Sequence, residues 1–303
     1  MSAPKVIISG GGTGGHIFPA IAIANALKTM NSATDILFVG ANGRMEMEKV
    51  PAAGYPIEGL WISGLQRSLT LKNLSFPLKL ISSIWKSRGI LKKFRPDVVV
   101  GVGGYASGPL LRAATGARIP TLIQEQNSFP GITNKWLGHK VSRICVAYDG
   151  MEKFFPKDKL ILTGNPVRKE VVSLEGKRAR ALEHFGLRDD RPIILVVGGS
   201  LGARSINLAI RDGLDRITEQ GVQLIWQTGK PFFEEAQLAV RDRDGHGIKA
   251  YDFITKMDLA YAAADLVISR AGAIAVSELC LTAKPCILVP YPYAAEDHQT
   301  KNA

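Results

Sequence analysis

Residues 5–16 read Lys5-Val6-Ile7-Ile8-Ser9-Gly10-Gly11-Gly12-Thr13-Gly14-Gly15-His16. An apolar, β-branched run passes into a glycine-rich turn, and a helical pattern follows over residues 20–29. Continuous apolar runs this short fit strands buried on both faces of a parallel sheet. A glycine-rich strand-to-helix turn lets an anion reach the backbone N–H groups at the helix start. The same unit returns at Pro192, where residues 193–197 run into Gly198-Gly199-Ser200-Leu201-Gly202-Ala203. A third such turn, Gly101-Val102-Gly103-Gly104-Tyr105-Ala106-Ser107-Gly108, follows another apolar run.

Working outward, strand-like runs fall at residues 5–9, 35–40, 97–103, 121–125, 144–148 and 160–163. Helical patterns lie between them at 20–29, 77–94 and 109–115. After Pro192 the strand runs are 193–197, 223–227, 249–253, 266–269 and 286–289. Such alternation predicts βαβ units. The expected fold is α/β, with two Rossmann-like, doubly wound parallel-sheet domains facing a cleft. The domains are expected at 1–164 and 165–303, joined near Gly164-Asn165-Pro166. Asp297–Ala303 reads as a helix just starting, so the second domain reads as incomplete.

Length suits two domains, since 303 residues are about twice the usual domain size. Hydrophobic content of 46% excludes disorder. Three cysteines, Cys145, Cys280 and Cys286, with no Cys-x-x-Cys pair, exclude a disulfide framework and make a cysteine-based zinc site unexpected. The N-terminus carries no signal-peptide pattern, and no run approaches 18 apolar residues.

The net charge of +11 is unevenly distributed. Residues 1–164 hold 20 Lys and Arg against 9 Asp and Glu, whereas residues 165–303 hold 18 of each. Residues 59–96 contain eight basic side chains, Arg67, Lys72, Lys79, Lys86, Arg88, Lys92, Lys93 and Arg95, and no acidic one. An anionic partner is implied: nucleic acid, a membrane surface or phosphates. The run has no RNP, KH or helix-turn-helix signature and interleaves aliphatic rather than stacking aromatic residues, so nucleic acid is not expected. From Pro77, Leu78, Ile81, Ile84, Trp85 and Leu91 recur near helical spacing, and Lys79, Lys86 and Lys93 recur every seven residues. An amphipathic helix of this kind can lie on an anionic leaflet. Membrane contact is therefore expected from Leu78, Lys79, Ile81, Trp85, Lys86 and Lys93. The bland alternative is that the apolar residues pack on the sheet.

Gly10, Gly12 and Gly15 satisfy G-x-G-x-x-G, but the second strand ends Val39-Gly40-Ala41-Asn42 without the acid that holds a dinucleotide ribose. No Lys follows the loop, which excludes a Walker A site. His16 at the helix start meets a dipole that favours a neutral, basic ring. Asp242-Arg243-Asp244 has the spelling of a metal-binding triad, but it follows a helical pattern rather than a strand and reads as a solvated turn. No cofactor and no metal are expected.

Several motifs together carry a family resemblance. They are Gly11-Gly12-Thr13-Gly14-Gly15-His16, the Gly103–Gly108 loop, Glu125-Gln126-Asn127, Thr163-Gly164-Asn165-Pro166-Val167-Arg168 and Gly198–Ala203. To these are added Arg270-Ala271-Gly272-Ala273 with Ser277-Glu278, and Asp297–Ala303. The chain resembles the MurG family of bacterial GT-B glycosyltransferases. These move N-acetylglucosamine from UDP-N-acetylglucosamine to lipid I (undecaprenyl-pyrophosphoryl-MurNAc-pentapeptide), giving lipid II for peptidoglycan. The resemblance implies an inverting, metal-independent transfer by a peripheral enzyme on the cytoplasmic face of the bacterial inner membrane.

It also implies roles. His16 would be the base, with Glu125 and Asn127 beside it in the catalytic set and Asn134 orienting substrate. Thr13, Gly14, Gly15 and Tyr105 would lie along the acceptor diphosphate. Glu278 would accept the ribose hydroxyls, and the Ile254 backbone would pair with uracil. Ser200 and the run Ala273, Ile274, Ala275, Val276 and Ser277 would cap the donor diphosphate, with Arg168 and Arg270 adding charge. Gln299 would read sugar hydroxyls, and Asn207 falls on a further donor-site position. Gln124 stands where some members have His, and His298 where some have Gln. Two other readings stay open on the residues: a GT-B transferase with a diacylglycerol acceptor, and a non-catalytic nucleotide-binding protein.

Overall fold

The structure, a computed structural model, describes residues 3–64, 75–293 and 297–303. Arg67 and Lys72 of the basic run lie outside the described residues. The chain separates into two compact units, Met1–Pro166 and Val167–Ala303.

In the first unit seven strands form one parallel sheet: β1 (Lys5–Gly10), β2 (Asp35–Ala41), β3 (Ile57–Leu60), β4 (Val98–Gly103), β5 (Thr121–Glu125), β6 (Arg143–Val146) and β7 (Leu160–Leu162). Their order is β3-β2-β1-β4-β5-β6-β7. The helices are α1 (Gly14–Met30), α2 (Glu46–Ala52), α3 (Phe76–Phe94), α4 (Ser107–Gly116) and α5 (Ile132–Gly138). Alternation along β1 sends Val6 and Ile8 into one apolar layer and Ile7 into the other. The sheet is thus covered on both faces, which explains its unbroken apolar strands.

The second unit has a five-stranded parallel sheet of β8 (Ile193–Val197), β9 (Gln223–Gln227), β10 (Ile248–Tyr251), β11 (Leu266–Ser269) and β12 (Cys286–Leu288). Its order is β10-β9-β8-β11-β12. Its helices are α6 (Arg178–Phe185), α7 (Arg204–Asp212), α8 (Leu214–Glu219), α9 (Lys230–Val240), α10 (Met257–Ala263), α11 (Ala273–Leu281) and α12 (His298–Asn302). Leu195 and Val196 point to opposite apolar layers, as Ile7 and Ile8 do.

Both sheets reverse direction beside their first strand. β1 sits between β2 and β4, and β8 between β9 and β11. Such a switch point opens a crevice beyond the strand carboxyl ends. The three glycine turns follow β1, β4 and β8, so all of them lie at a switch point.

Two differences from the sequence expectation stand out. Helix α1 begins at Gly14 rather than near residue 20, so the glycine turn itself supplies the first helical turn. The β3 strand and the α2 helix carry no separate expectation; both are short, at four and seven residues, and leave too little periodicity to read. The segment Arg241–His246, read as a turn, is a 3-10 turn following α9.

Candidate active site

In the first unit the β1 and β4 turns touch. A Cβ on Gly104, where φ is +89°, would overlap the Gly11 carbonyl, so only glycine permits this approach. Thr13 is the N-cap of α1, and its Oγ1 lies 3.4 Å from His16 Nδ1. The Gly11 carbonyl is closer, at 3.2 Å. A carbonyl can only accept, so this contact assigns the ring proton to Nδ1 and makes Nε2 the basic atom. Among the described residues the N–H groups of Thr13, Gly14 and Gly15 donate to no acceptor, as expected for the open first turn of a helix. Tyr105 is half exposed, with its ring against the Gly64 backbone.

Glu125 is held by the loop that follows it. It is 2% exposed, at the end of β5. One oxygen accepts the Asn127 N–H at 3.0 Å and Asn127 Nδ2 at 3.2 Å. The other accepts the Gly131 N–H at 3.2 Å and Asn134 Nδ2 at 2.8 Å. Burial pushes its carboxyl above the usual range, against these donors, which pull it down. With four donors converging on it, Glu125 organises the loop that follows β5. Asn134 is 4% exposed and its Oδ1 accepts nothing among the described residues. A buried amide network lies behind this loop. Gln126 Nε2 donates to the Val102 carbonyl at 2.9 Å and to Gln124 Oε1. Gln124 in turn donates to Asn165 Oδ1 at 3.3 Å.

In the second unit the β8 turn is locked against β9: Gln227 Nε2 donates to the Gly199 carbonyl at 3.1 Å. Ser200 lies in this turn. Asn207 is 1% exposed, donating to the Thr228 carbonyl at 2.8 Å and accepting from Trp226 Nε1 at 3.1 Å. It braces α7 against β9. The Ile254 N–H donates to Gln227 Oε1 at 2.9 Å, which leaves its carbonyl as the backbone group a base edge could use.

Glu278 lies on α11. It is 1% exposed and forms a bidentate pair with Arg168, Nε to Oε1 at 2.8 Å and Nη2 to Oε2 at 2.7 Å. Tyr261 OH donates to the same Oε2 at 3.1 Å. Burial lowers the Arg168 guanidinium's pKa, but the Glu278 hydrogen bond and charge outweigh it, for a net rise. Burial, then the Glu278 charge, pushes the Tyr261 phenol up. Arg270 differs in having neutral partners: the carbonyls of Val289 and Pro290 at 3.1 and 3.0 Å, and Ser205 Oγ at 2.8 Å. Desolvation lowers its pKa, and no carboxylate offsets its charge among those partners. It stands before α11, whose first-turn N–H groups at Ala273, Ile274 and Ala275 have no acceptor among the described residues. Val276 and Ser277 continue the helix; the Val276 N–H donates to the Gly272 carbonyl and Ser277 Oγ to that of Ala273. Gln299 Oε1 accepts the Tyr291 N–H at 2.9 Å, which leaves its amide N–H₂ for other partners.

Sequence reasoning missed Glu46, Gln227 and Tyr261. Glu46 is 0% exposed and accepts the N–H groups of Gly12 at 2.9 Å and Ala41 at 3.0 Å. None of the three belongs to a local motif, so no spacing signal marks them.

Residues 6–146 match the glycosyltransferase family 28 N-terminal domain, and residues 193–303 its C-terminal domain. The chain is similar to the UDP-N-acetylglucosamine--N-acetylmuramyl-(pentapeptide) pyrophosphoryl-undecaprenol N-acetylglucosamine transferase of Phocaeicola vulgatus. The two are 58% identical over 300 residues, covering 99% of this chain and 80% of that one. The transferase of the same name from Cytophaga hutchinsonii is 57% identical over 299 residues, with the same coverage. Among solved structures, Acinetobacter baumannii MurG is 30% identical with a TM-score of 0.71, covering 99% of this chain and 82% of that one.

Proposed function

The chain belongs to glycosyltransferase family 28, and from that premise we propose which of its residues carry the transfer. The enzyme moves N-acetylglucosamine from UDP-N-acetylglucosamine to N-acetylmuramyl-(pentapeptide) pyrophosphoryl-undecaprenol, lipid I, forming lipid II. The observation that carries this conclusion is 56–58% identity with transferases of that name over almost the whole chain.

The first unit takes lipid I and the second takes the nucleotide sugar. The open N–H groups at Thr13, Gly14 and Gly15 support an acceptor diphosphate beside His16. His16 Nε2 removes the proton of the attacking 4-hydroxyl. The new bond joins that oxygen to the anomeric carbon as the bond to UDP breaks and its electron pair leaves with the diphosphate. One base supplies about 10²–10⁴-fold of the rate. Charge growing on UDP is met by the α11 N-terminus, the Ser200 turn and Arg270, whose neutral partners leave it available to an anion. The Ile254 carbonyl takes the uracil N–H, and Glu278 takes the ribose once Arg168 shifts toward the diphosphate. Gln299 turns its free amide toward the sugar, and the half-exposed Tyr105 flanks the acceptor.

Among the described residues no helix is long and apolar enough to cross a membrane. The exposed face of α3 supports a peripheral association with an anionic leaflet. Leu78, Ile81 and Trp85 are 65%, 57% and 72% exposed on it, and Lys93 is also exposed. Lys79 and Lys86 flank that face, anchored to Ser63 Oγ at 3.0 Å and to the Gly59 carbonyl at 2.7 Å.

The test is incubation of the chain with radiolabelled UDP-N-acetylglucosamine and either lipid I or diacylglycerol. Label is expected in lipid II alone. Label in diacylglycerol, or binding of the nucleotide without transfer to either lipid, sinks the reading.

A further inference from the structure

One peptide unit links a buried carboxylate to the His16 ring. The Gly11–Gly12 peptide gives its N–H to Glu46 Oε2 at 2.9 Å and its C=O to His16 Nδ1 at 3.2 Å. A planar trans peptide points these two groups in opposite directions. Glu46 and His16 therefore hold opposite edges of one plane. The second Glu46 oxygen accepts the Ala41 N–H at the end of β2, at 3.0 Å, which fixes the carboxylate to the sheet. Glu46 is 0% exposed, and among the described residues no cationic side chain pairs with it.

The surroundings leave the peptide no slack. A Cβ on Gly11 would overlap Glu46 Oε1, one on Gly40 would lie 2.5 Å from Glu46 Cγ, and one on Gly104 would overlap the Gly11 carbonyl. A Cβ on Gly103 would lie 2.8 Å from His16 Nε2, so the β4 turn packs against the ring's other nitrogen.

We infer that Glu46 is a positioning residue for the transfer: through the Gly11–Gly12 peptide it sets the orientation and the Nδ1–H tautomer of His16. A negative charge on the N–H end polarises the peptide and strengthens its carbonyl as an acceptor. The stronger acceptor holds the ring proton on Nδ1 and directs the Nε2 lone pair to the substrate hydroxyl. A carboxylate touching an imidazole N–H does the same in one step; here a peptide stands between. One consequence follows for the anion site. Gly12 has given its N–H to Glu46, so only the later donors of the turn can serve a phosphate.

The inference rests on His16 being the base, and the test separates the two. The readout is the tautomer ratio of His16, from ¹⁵N shifts of the ring nitrogens in histidine-labelled protein. His16→Gln assigns the signal among the five histidines. The Nδ1–H form is expected to dominate in the parent chain. In Glu46→Gln, whose amide turns a donor toward one of the two N–H groups, the Nε2–H form is expected to rise. In Glu46→Asp, one methylene shorter, it is expected to rise as well. Turnover in both is expected to fall about 100-fold through kcat with KM for UDP-N-acetylglucosamine unchanged. In a His16→Gln background, Glu46→Gln is expected to remove no further activity. An unchanged tautomer ratio in both Glu46 variants overturns the inference, as does an equal loss in the two backgrounds. Full turnover in His16→Gln overturns the base assignment itself, whatever the Glu46 variants do.

Discussion

Glu46, Glu125 and Glu278 are each within 2% of complete burial, and a buried carboxylate is unfavourable unless its oxygens are answered. Glu46 is answered by two backbone N–H groups, Glu125 by four donors from the loop it organises, and Glu278 by a cation and a phenol. Removing one partner of the Arg168–Glu278 pair strands the other. Glu278→Leu is expected to destabilise the chain by about 3 kcal/mol. Adding Arg168→Met is expected to recover most of that loss, because an apolar pair has no charge left to solvate. Urea unfolding midpoints check both values; a double variant no more stable than the single one removes the ion pair as the cause. The residues readable beforehand at this scale were those inside local runs. His16 closes the first glycine turn, so strand, turn and helix name it together. Glu46 acts on that turn from 34 positions away, and Arg168 reaches Glu278 across 110. No spacing rule spans such distances, since the contact depends on how the sheet is wound.

Helix α3 is the element where pattern and packing diverged most usefully. Its apolar residues recur near helical spacing on more than one face. Ile90 and Leu91 are buried in the layer beneath, joined by Phe76, Leu80 and Phe94, while Leu78, Ile81 and Trp85 stand out in solvent. The sheet-packing alternative for those three is therefore set aside by their exposure. Ser83 and Ser87 are buried on the inner face, and Ser83 Oγ donates to the Trp61 carbonyl at 3.0 Å. Small polar residues on the inner face blurred the helix's polarity when read from sequence. The two faces make opposite predictions. Changing Leu78, Ile81 and Trp85 together to Ser is expected to abolish pelleting with anionic phospholipid vesicles and to shift unfolding by less than about 1 kcal/mol. Leu91→Ala is expected to cost about 2–5 kcal/mol through the cavity it leaves. Vesicle binding unchanged in the triple variant would remove this face from the membrane-contact proposal.

At the scale of the whole molecule, transfer is expected to need no divalent cation. In the proposed transfer the α11 N-terminus and Arg270 meet the charge growing on the leaving diphosphate, whereas the Asp242-Arg243-Asp244 triad sits in a 3-10 turn following a helix. Turnover is expected to be unchanged by EDTA, and complete loss on chelation would overturn that account. The sequence by itself determined the alternation of strands and helices, the glycine turns at strand ends and the concentration of positive charge in residues 1–164. These are local or additive properties: periodicity, backbone freedom and charge are legible without knowing what touches what. Only the tertiary structure decided that β1 lies between β2 and β4, which brings Gly11 against Gly104. It alone decided that Glu125 faces its own loop, that Arg168 holds Glu278, and that Glu46 reaches the His16 peptide. Strand order is set by burying both faces of a sheet, and a buried acid takes whichever donors that order brings within reach.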